Sequence, residues 1–370
     1  MTKGLTGQNG VESADGCFCL NRSRSAVTNL GPMKRGTEPR TIKVAILAFE
    51  TFGTISITGP MDILNKSCML MRGTNGNRAA TANFAVELVA LSKKPLRFGD
   101  SVVLRPHATI ATAGRPDLIL IPSAGDEVIE SLESLQRFIP WIKQCAARGT
   151  RVVSLCTGAF LLAEAGLLDG RTATTHWFYA ELFRKTYPNV KLRADQLIVD
   201  EGNVITSGAA TSFLDLALYL IELYCGHEAA VTTAKVLLIE MGRHTQLPYT
   251  IFSAYKTHGD REILAVQQLM EAEMHKNLSI ERLSKRAAMS IRNFDRRFRT
   301  AVGEAPSVYL QKLRIEKAKR MLESTSDTVE EILFKVGYQD LRSFRRLFHS
   351  LTDLSPKEYR RKYGMHPLQD

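Results

Sequence analysis

The strongest constraint on this 370-residue chain is a repeat near its C-terminal end. The stretch SIERLSKRAAMS from Ser279 lies over TVEEILFKVGYQ from Thr328 at an offset of 49, so that Ile280 meets Val329, Leu283 meets Ile332, Ala287 meets Val336 and Ala288 meets Gly337. Beyond this point the offset becomes 50: Phe294 meets Phe344, Arg296 meets Arg346, Phe298 meets Phe348, Pro306 meets Pro356 and Tyr309 meets Tyr359. The extra residue falls in a turn, where insertion disturbs packing least. Each copy reads as a short helix capped by Ser279 or Thr328, a tight turn at the small residue, and a second helix with an apolar stripe at three- and four-residue spacing.

The inward stripe is Phe294, Phe298 and Ala301 in the first copy, and Phe344, Phe348 and Leu351 in the second. Arg292, Asp295, Arg296 and Arg299 then share the outer face of one helix, and Arg342, Arg345, Arg346 and His349 that of the other, with Ser343 beside them. Arginine offers a bidentate fork for guanine edges and phosphates, and an α-helix fits the major groove. A helix from about Pro306 to Glu323, packed through Leu310, Leu313, Ala318 and Leu322, separates the copies. Held rigidly, they would enter successive major grooves about 34 Å apart on one face of a duplex.

Charge agrees with this reading. The chain carries 49 Lys and Arg against 38 Asp and Glu, and nearly all of the +11 excess lies between Lys276 and Lys362. A basic domain beside a near-neutral one suits a polyanionic partner, because neutralised phosphates release counterions. A solvated charged face is the alternative that charge alone leaves open.

From about Ile263 to Tyr363 the sequence resembles the DNA-binding domain of the AraC/XylS family. The motifs are VGEAPSVYLQKLRIEKA, which closes the first copy, and VGYQDLRSFRRLFHSLTDLSPKEYR in the second. The resemblance implies base contacts chiefly from Arg292, Asp295 and Arg296, then Arg342, Arg345 and Arg346. Leu341 departs from the polar residue expected there, and either touches a thymine methyl or packs.

Upstream, apolar runs alternate with helical patterns, which predicts an α/β domain over 41–226: a flavodoxin-like parallel sheet with helices on both faces, ahead of the all-α domain with two helix-turn-helix units over 262–363. The strand candidates are KVAILAF, AVELVAL, LILIP and VVSL; helices are expected over Met61–Met71, Val128–Arg148, Gly158–Ala165 and Ser212–Tyr224. Residues 1–40, rich in Gly, Ser, Thr, Asn and Arg and without a signal-peptide core, read as a flexible tail, and 364–370 as a second one. The best apolar run, Thr211 to Cys225, contains Asp215 and Glu222, so no membrane span is expected.

Six cysteines, Cys17, Cys19, Cys68, Cys145, Cys156 and Cys225, lack the spacing of a zinc site or the density of a disulfide scaffold, which points to a reducing cytoplasm and no metal or cofactor. Cys17 and Cys19 could in principle bind a metal, but a lone C-x-C in a tail is more often without function.

Cys156 ends the strand in RVVSLCTGAF, and Thr157 and Gly158 turn into a helix. Such an elbow exposes the sulfur to a helix N-terminus, which would favour thiolate. TATTHW supplies His176 twenty residues on. With TGPMD at Thr58 to Asp62, these features resemble the PfpI-like branch of the class I glutamine amidotransferase superfamily over about Ile42 to Gly226. That resemblance implies a hydrolase, a hydratase or, fused to an AraC-type domain, a transcription regulator. In its hydrolytic and hydratase members an acid precedes the Gly-Pro by three positions; Ser56 stands there, and Glu50 lies too early in the chain.

Three readings of Cys156 therefore stay open: a catalyst, an inert buried thiol, or part of a surviving ligand pocket with Thr157, His176, Thr58 and Gly59. The regulator reading expects operator DNA, a small-molecule effector, RNA polymerase and a second copy of the chain as partners. Its rivals are a cysteine-dependent hydratase or amidase with an attached DNA-binding module, and an architectural DNA-binding protein. The connector over 227–261 starts helical, with Ala230, Ala234, Leu237 and Leu238 on one face, for a dimer contact or for packing within its own domain.

Overall fold

A computed structural model describes residues 40–50, 53–73, 82–253 and 256–365. Cys17 and Cys19 lie outside them. The first half is built from β1 (Arg40–Leu47), β2 (Ala82–Ala90), β3 (Leu96–Phe98), β4 (Val102–Leu104), β5 (Ala108–Thr109), β6 (Leu118–Ile121), β7 (Arg151–Leu155), β8 (Thr172–Ala173), β9 (Lys191–Leu192), β10 (Ile198–Asp200) and β11 (Val204–Ser207). The main sheet runs β10-β11-β7-β6-β1-β2-β5, parallel throughout except for β10 against β11. Its winding reverses between β1 and β6, the flavodoxin-like arrangement, and such a switch point opens a crevice at the strands' carboxyl ends.

Helices α1 (Ile55–Gly73), α2 (Val128–Leu135), α3 (Ile139–Ala147), α4 (Gly158–Glu164), α5 (Ala180–Thr186), α6 (Phe213–Cys225) and α7 (His227–Leu237) cover the sheet. Successive strand side chains point to opposite faces, so β1 sends Ile42, Val44 and Ile46 to one core and Ala45 and Leu47 to the other. The first core is closed by Ile57 and Leu64 of α1, Leu216 and Leu220 of α6, and Ala229 and Ala230 of α7. Leu132, Ile142, Phe160 and Phe183, from α2 to α5, close the second. Continuous apolar strands follow from this double cover.

Three helix expectations change. The single helix over Val128–Arg148 is two, joined by a 3-10 turn at Gln136–Phe138, because Pro140 suits the first turn of a helix and breaks a continuous one. The helix expected from Met61 begins at Ile55 and takes in Pro60, at the cost of one backbone bond, since Ile57 is fully buried beneath the sheet. The connector's opening helix packs within its own half: Ala230 and Ala234 are buried, while Leu238 is 92% exposed just past the end of α7.

The second half holds α8 (Arg261–Glu273), α9 (Ile280–Arg286), α10 (Ile291–Val302), α11 (Pro306–Ser324), α12 (Val329–Lys335), α13 (Leu341–Thr352) and α14 (Pro356–Tyr363). The repeat is reproduced residue for residue: α9 and α12 differ by 49 positions, α10 and α13 by 50. The added residue lies in the turn, 287–290 in the first copy and 336–340 in the second. Ala288 and Gly337 both adopt left-handed backbone there. Ser279 and Thr328 cap α9 and α12 as expected, and Thr328 forms a capping box with Glu331.

Two separate cores result, Phe294, Phe298 and Tyr309 in one, Phe344, Phe348 and Tyr359 in the other. Helix α11 serves both, with Leu310 in the first and Ile315, Ala318 and Leu322 in the second. Arg314 adds a second tie. Its Nε and Nη2 donate to the carbonyls of Met274 (2.8 Å) and Lys276 (2.9 Å), and its guanidinium lies 5.3 Å from the Tyr338 ring. A Cβ on Gly337 would sit 2.5 Å from Met274 O, so the second unit's turn presses on the first unit. Among the described residues no helix is long and apolar enough to cross a membrane, and no group of His, Cys, Asp and Glu could hold a metal ion.

Candidate functional site

Helices α10 and α13 start at strong caps. Ser290 Oγ accepts from Asn293 N at 3.3 Å, and the Asp340 carboxylate accepts from the amides of Arg342 and Ser343. Each buries its two phenylalanines completely. The opposite face therefore must point to water, and Arg292, Arg296, Arg299, Arg342, Ser343, Arg345 and Arg346 are all exposed. The outward placement expected from sequence is what the structure shows.

Their state differs along the two faces. In α10, Arg296 donates to Asn293 Oδ1 at 2.9 Å, and Arg299 pairs with the half-buried Asp295 at 2.8 Å. In α13, Arg345 pairs with Glu330 at 3.5 Å. Arg292, Arg342 and Arg346 have no ion-pair partner among the described residues. Exposed pairs of this kind contribute little to stability and are readily exchanged for phosphate or base contacts. Leu341 is half-buried against the second core.

At the carboxyl ends of the central strands, Cys156 adopts φ +54°, the strained elbow expected where strand turns into helix. Gly158 lets α4 come close: a Cβ there would stand 2.5 Å from Pro122 O. The thiol is 5% exposed, and burial pushes its pKa up despite hydrogen bonds from Ser123 and Thr157, with the nearby Asp126 charge adding to the rise. The expected thiolate is thus overturned, because desolvation outweighs what a seven-residue helix can offer.

The loop after β6 supplies what the sequence did not reveal. Ser123 Oγ and Thr157 Oγ1 lie 2.8 Å apart, and Ala124 N donates to Thr157 Oγ1 at 2.9 Å. Asp126 accepts from Tyr179 Oη at 2.8 Å. Asp126 is the carboxylate beside the cysteine, about thirty residues before it in sequence; no local spacing marks it, and only the parallel pairing of β6 with β7 brings the two together.

His176 stands in the same cluster, between Trp177 and Tyr179, at centroid distances of 5.4 and 5.9 Å. Its Nδ1 accepts from Phe178 N at 3.1 Å and caps the short helix that follows. Burial lowers its pKa, against a smaller opposing pull from Asp126, so the neutral ring is favoured. Thr58 lines a different cavity, about 690 Å³, with Met61, Asp62, Leu88, Arg97 and Arg105; neither Cys156 nor His176 borders it. Gly59 faces the Phe213 ring, where a Cβ would come within 2.4 Å.

Residues 42–223 match the DJ-1/PfpI family and residues 283–362 a helix-turn-helix domain. The chain is 29% identical over 239 residues to the HTH-type transcriptional regulator CdhR of Pseudomonas aeruginosa, covering 63% of this chain and 70% of that protein. To the HTH-type transcriptional regulator GbdR of the same species it is 25% identical over 304 residues, 75% of this chain and 82% of GbdR. An isonitrile hydratase of Pseudomonas putida is 28% identical over 200 residues, 54% of this chain and 78% of the hydratase.

Proposed function

We propose that this chain, which joins a DJ-1/PfpI family domain to an AraC-type helix-turn-helix domain, is a sequence-specific DNA-binding transcription regulator whose α/β half senses a small metabolite. The observation that carries the reading is the pair of repeated helices, each burying two phenylalanines and presenting a row of exposed arginines. Bases are read in the major groove by residues so placed, and phosphates fix the register.

The candidate effector site is the cluster around Cys156, Thr157, His176, Ser123 and Asp126. A protonated, buried thiol suits a lining group better than a nucleophile, which disfavours the hydratase or amidase alternative. The chain would act in the cytoplasm as a homodimer on operator DNA and engage RNA polymerase there. Effector binding shifts the arrangement of the paired units by preferring one of two conformations. The sensing half runs through α7, because that helix packs in the sheet's core.

A gel shift on the DNA upstream of the gene tests the reading. Purified protein should retard that DNA in excess random duplex at physiological salt. Equal affinity for both duplexes, with a steep salt slope, would point to an architectural protein instead.

A further inference from the structure

The segment between the two halves is a clip with one jaw on each. Gln246 is 1% exposed, and its Nε2 lies 3.2 Å from Thr174 Oγ1, 2.9 Å from Thr175 O, 3.1 Å from Ala194 O and 3.0 Å from Gln196 O. Its Oε1 accepts from Trp177 N at 3.3 Å. Gly208 makes room for this side chain, since a Cβ there would be 2.4 Å from Gln246 Cδ. The backbone is tied as well: Gln246 N donates to Asp195 O at 2.8 Å, and Leu197 N to His244 O at 3.0 Å.

The same stretch 174–177 lies against the Cys156 cluster, for it contains His176, and Thr175 Oγ1 donates to Cys156 O at 3.0 Å. Any ligand that moves these residues must change the bonds of Gln246.

One turn later the segment grips the DNA-binding half. The 3-10 turn Leu247–Tyr249 is stiffened by the buried Pro248. Lys362 of α14 donates to Tyr249 Oη at 2.9 Å and lies 4.4 Å from its ring centroid. Thr250 O accepts from Lys319 Nζ, and Phe252 N donates to Glu316 Oε2 at 3.1 Å. Lys319 and Glu316 form a buried pair on α11, the helix shared by both units. His244 faces Asp353 at the end of α13, at 3.3 Å.

We infer that residues 244–252 transmit the state of the Cys156 cluster to α11 and α14, with Gln246 as the positioning residue at the cluster end and Tyr249 at the DNA-binding end. The inference rests on the regulator reading and gives it a physical route. Coupling between sites needs an element that both ends bias, and a nine-residue strut bonded at both ends supplies one.

Hydrogen exchange on the full chain, without DNA or added small molecule, tests it. Gln246→Ala should speed exchange about tenfold in 173–178 and also in 313–322 and 356–363, because the lost bonds raise local opening. Acceleration confined to 173–178 and 194–197 would overturn the inference. Should Gln246→Ala unfold the chain, Tyr249→Phe decides, since it keeps the ring and removes only the hydroxyl: about threefold faster exchange in 173–178 is expected, and an effect limited to 356–363 contradicts the coupling. A chain that coupled in this way yet ignored its upstream DNA would defeat the regulator reading alone.

Discussion

Cys156 and Gly337 both sit in left-handed backbone, for different reasons and with different consequences. At Cys156 the strain aims a buried sulfur at the loop after β6, and desolvation keeps it protonated. Alkylation by iodoacetamide at neutral pH should therefore run far slower at Cys156 than at a free thiol; a rate matching free cysteine would contradict its burial. Gly337 has no room for a side chain, so Gly337→Ala should cost about 3 kcal/mol from backbone strain and overpacking together, measurable by urea unfolding. Ala288→Gly, at the matching position, should change stability by under about 1 kcal/mol. His176 is a pH-sensitive group of the Cys156 cluster. Its folded-state pKa is lowered, so the unfolded chain takes up the proton first, and stability falls as pH drops below about 6.5. His176→Asn keeps an acceptor for Phe178 N and should flatten that acid-side decline.

At the scale of elements, the repeat makes each helix-turn-helix a control for the other. The capping box of α12 predicts that Thr328→Ala lowers stability by about 1 kcal/mol, read as a fall in the unfolding midpoint. Much of this scale was legible in sequence. Phenylalanines at four-residue spacing and a shifted offset located both helix-turn-helix pairs, and the helix between them, expected over Pro306–Glu323, runs Pro306–Ser324, because local periodicity and capping are local chemistry. The long apolar strands were equally visible. Short edge strands such as β5 and β10 were not, being too brief to show a period, and Pro140 was passed over inside an otherwise helical pattern. Asp126 and Gln246 escaped for a deeper reason: their partners are far off in sequence, and only sheet pairing or the fold of the connector assembles them. Thr58, part of the TGPMD motif, borders another cavity, with Arg97 and Arg105.

At the scale of the whole molecule, one helix decides whether two readers act as one. Helix α11 contributes to both cores, Arg314 and the Gly337 turn lock the units together, and the clip from Gln246 to Phe252 ties them to the α/β half. A rigid pair should read two stretches of one duplex face. Arg296→Ala and Arg346→Ala should each weaken binding to the upstream DNA by about 1–3 kcal/mol and relax specificity at different positions; equal losses on every sequence would mark them as phosphate contacts. Hydroxyl-radical footprinting on the upstream DNA tests the central claim most directly. The account predicts, for each bound copy, two protected windows about 10 base pairs apart on the same face of the helix. Protection of a single window per copy, or a uniform shallow protection along the duplex, would contradict it.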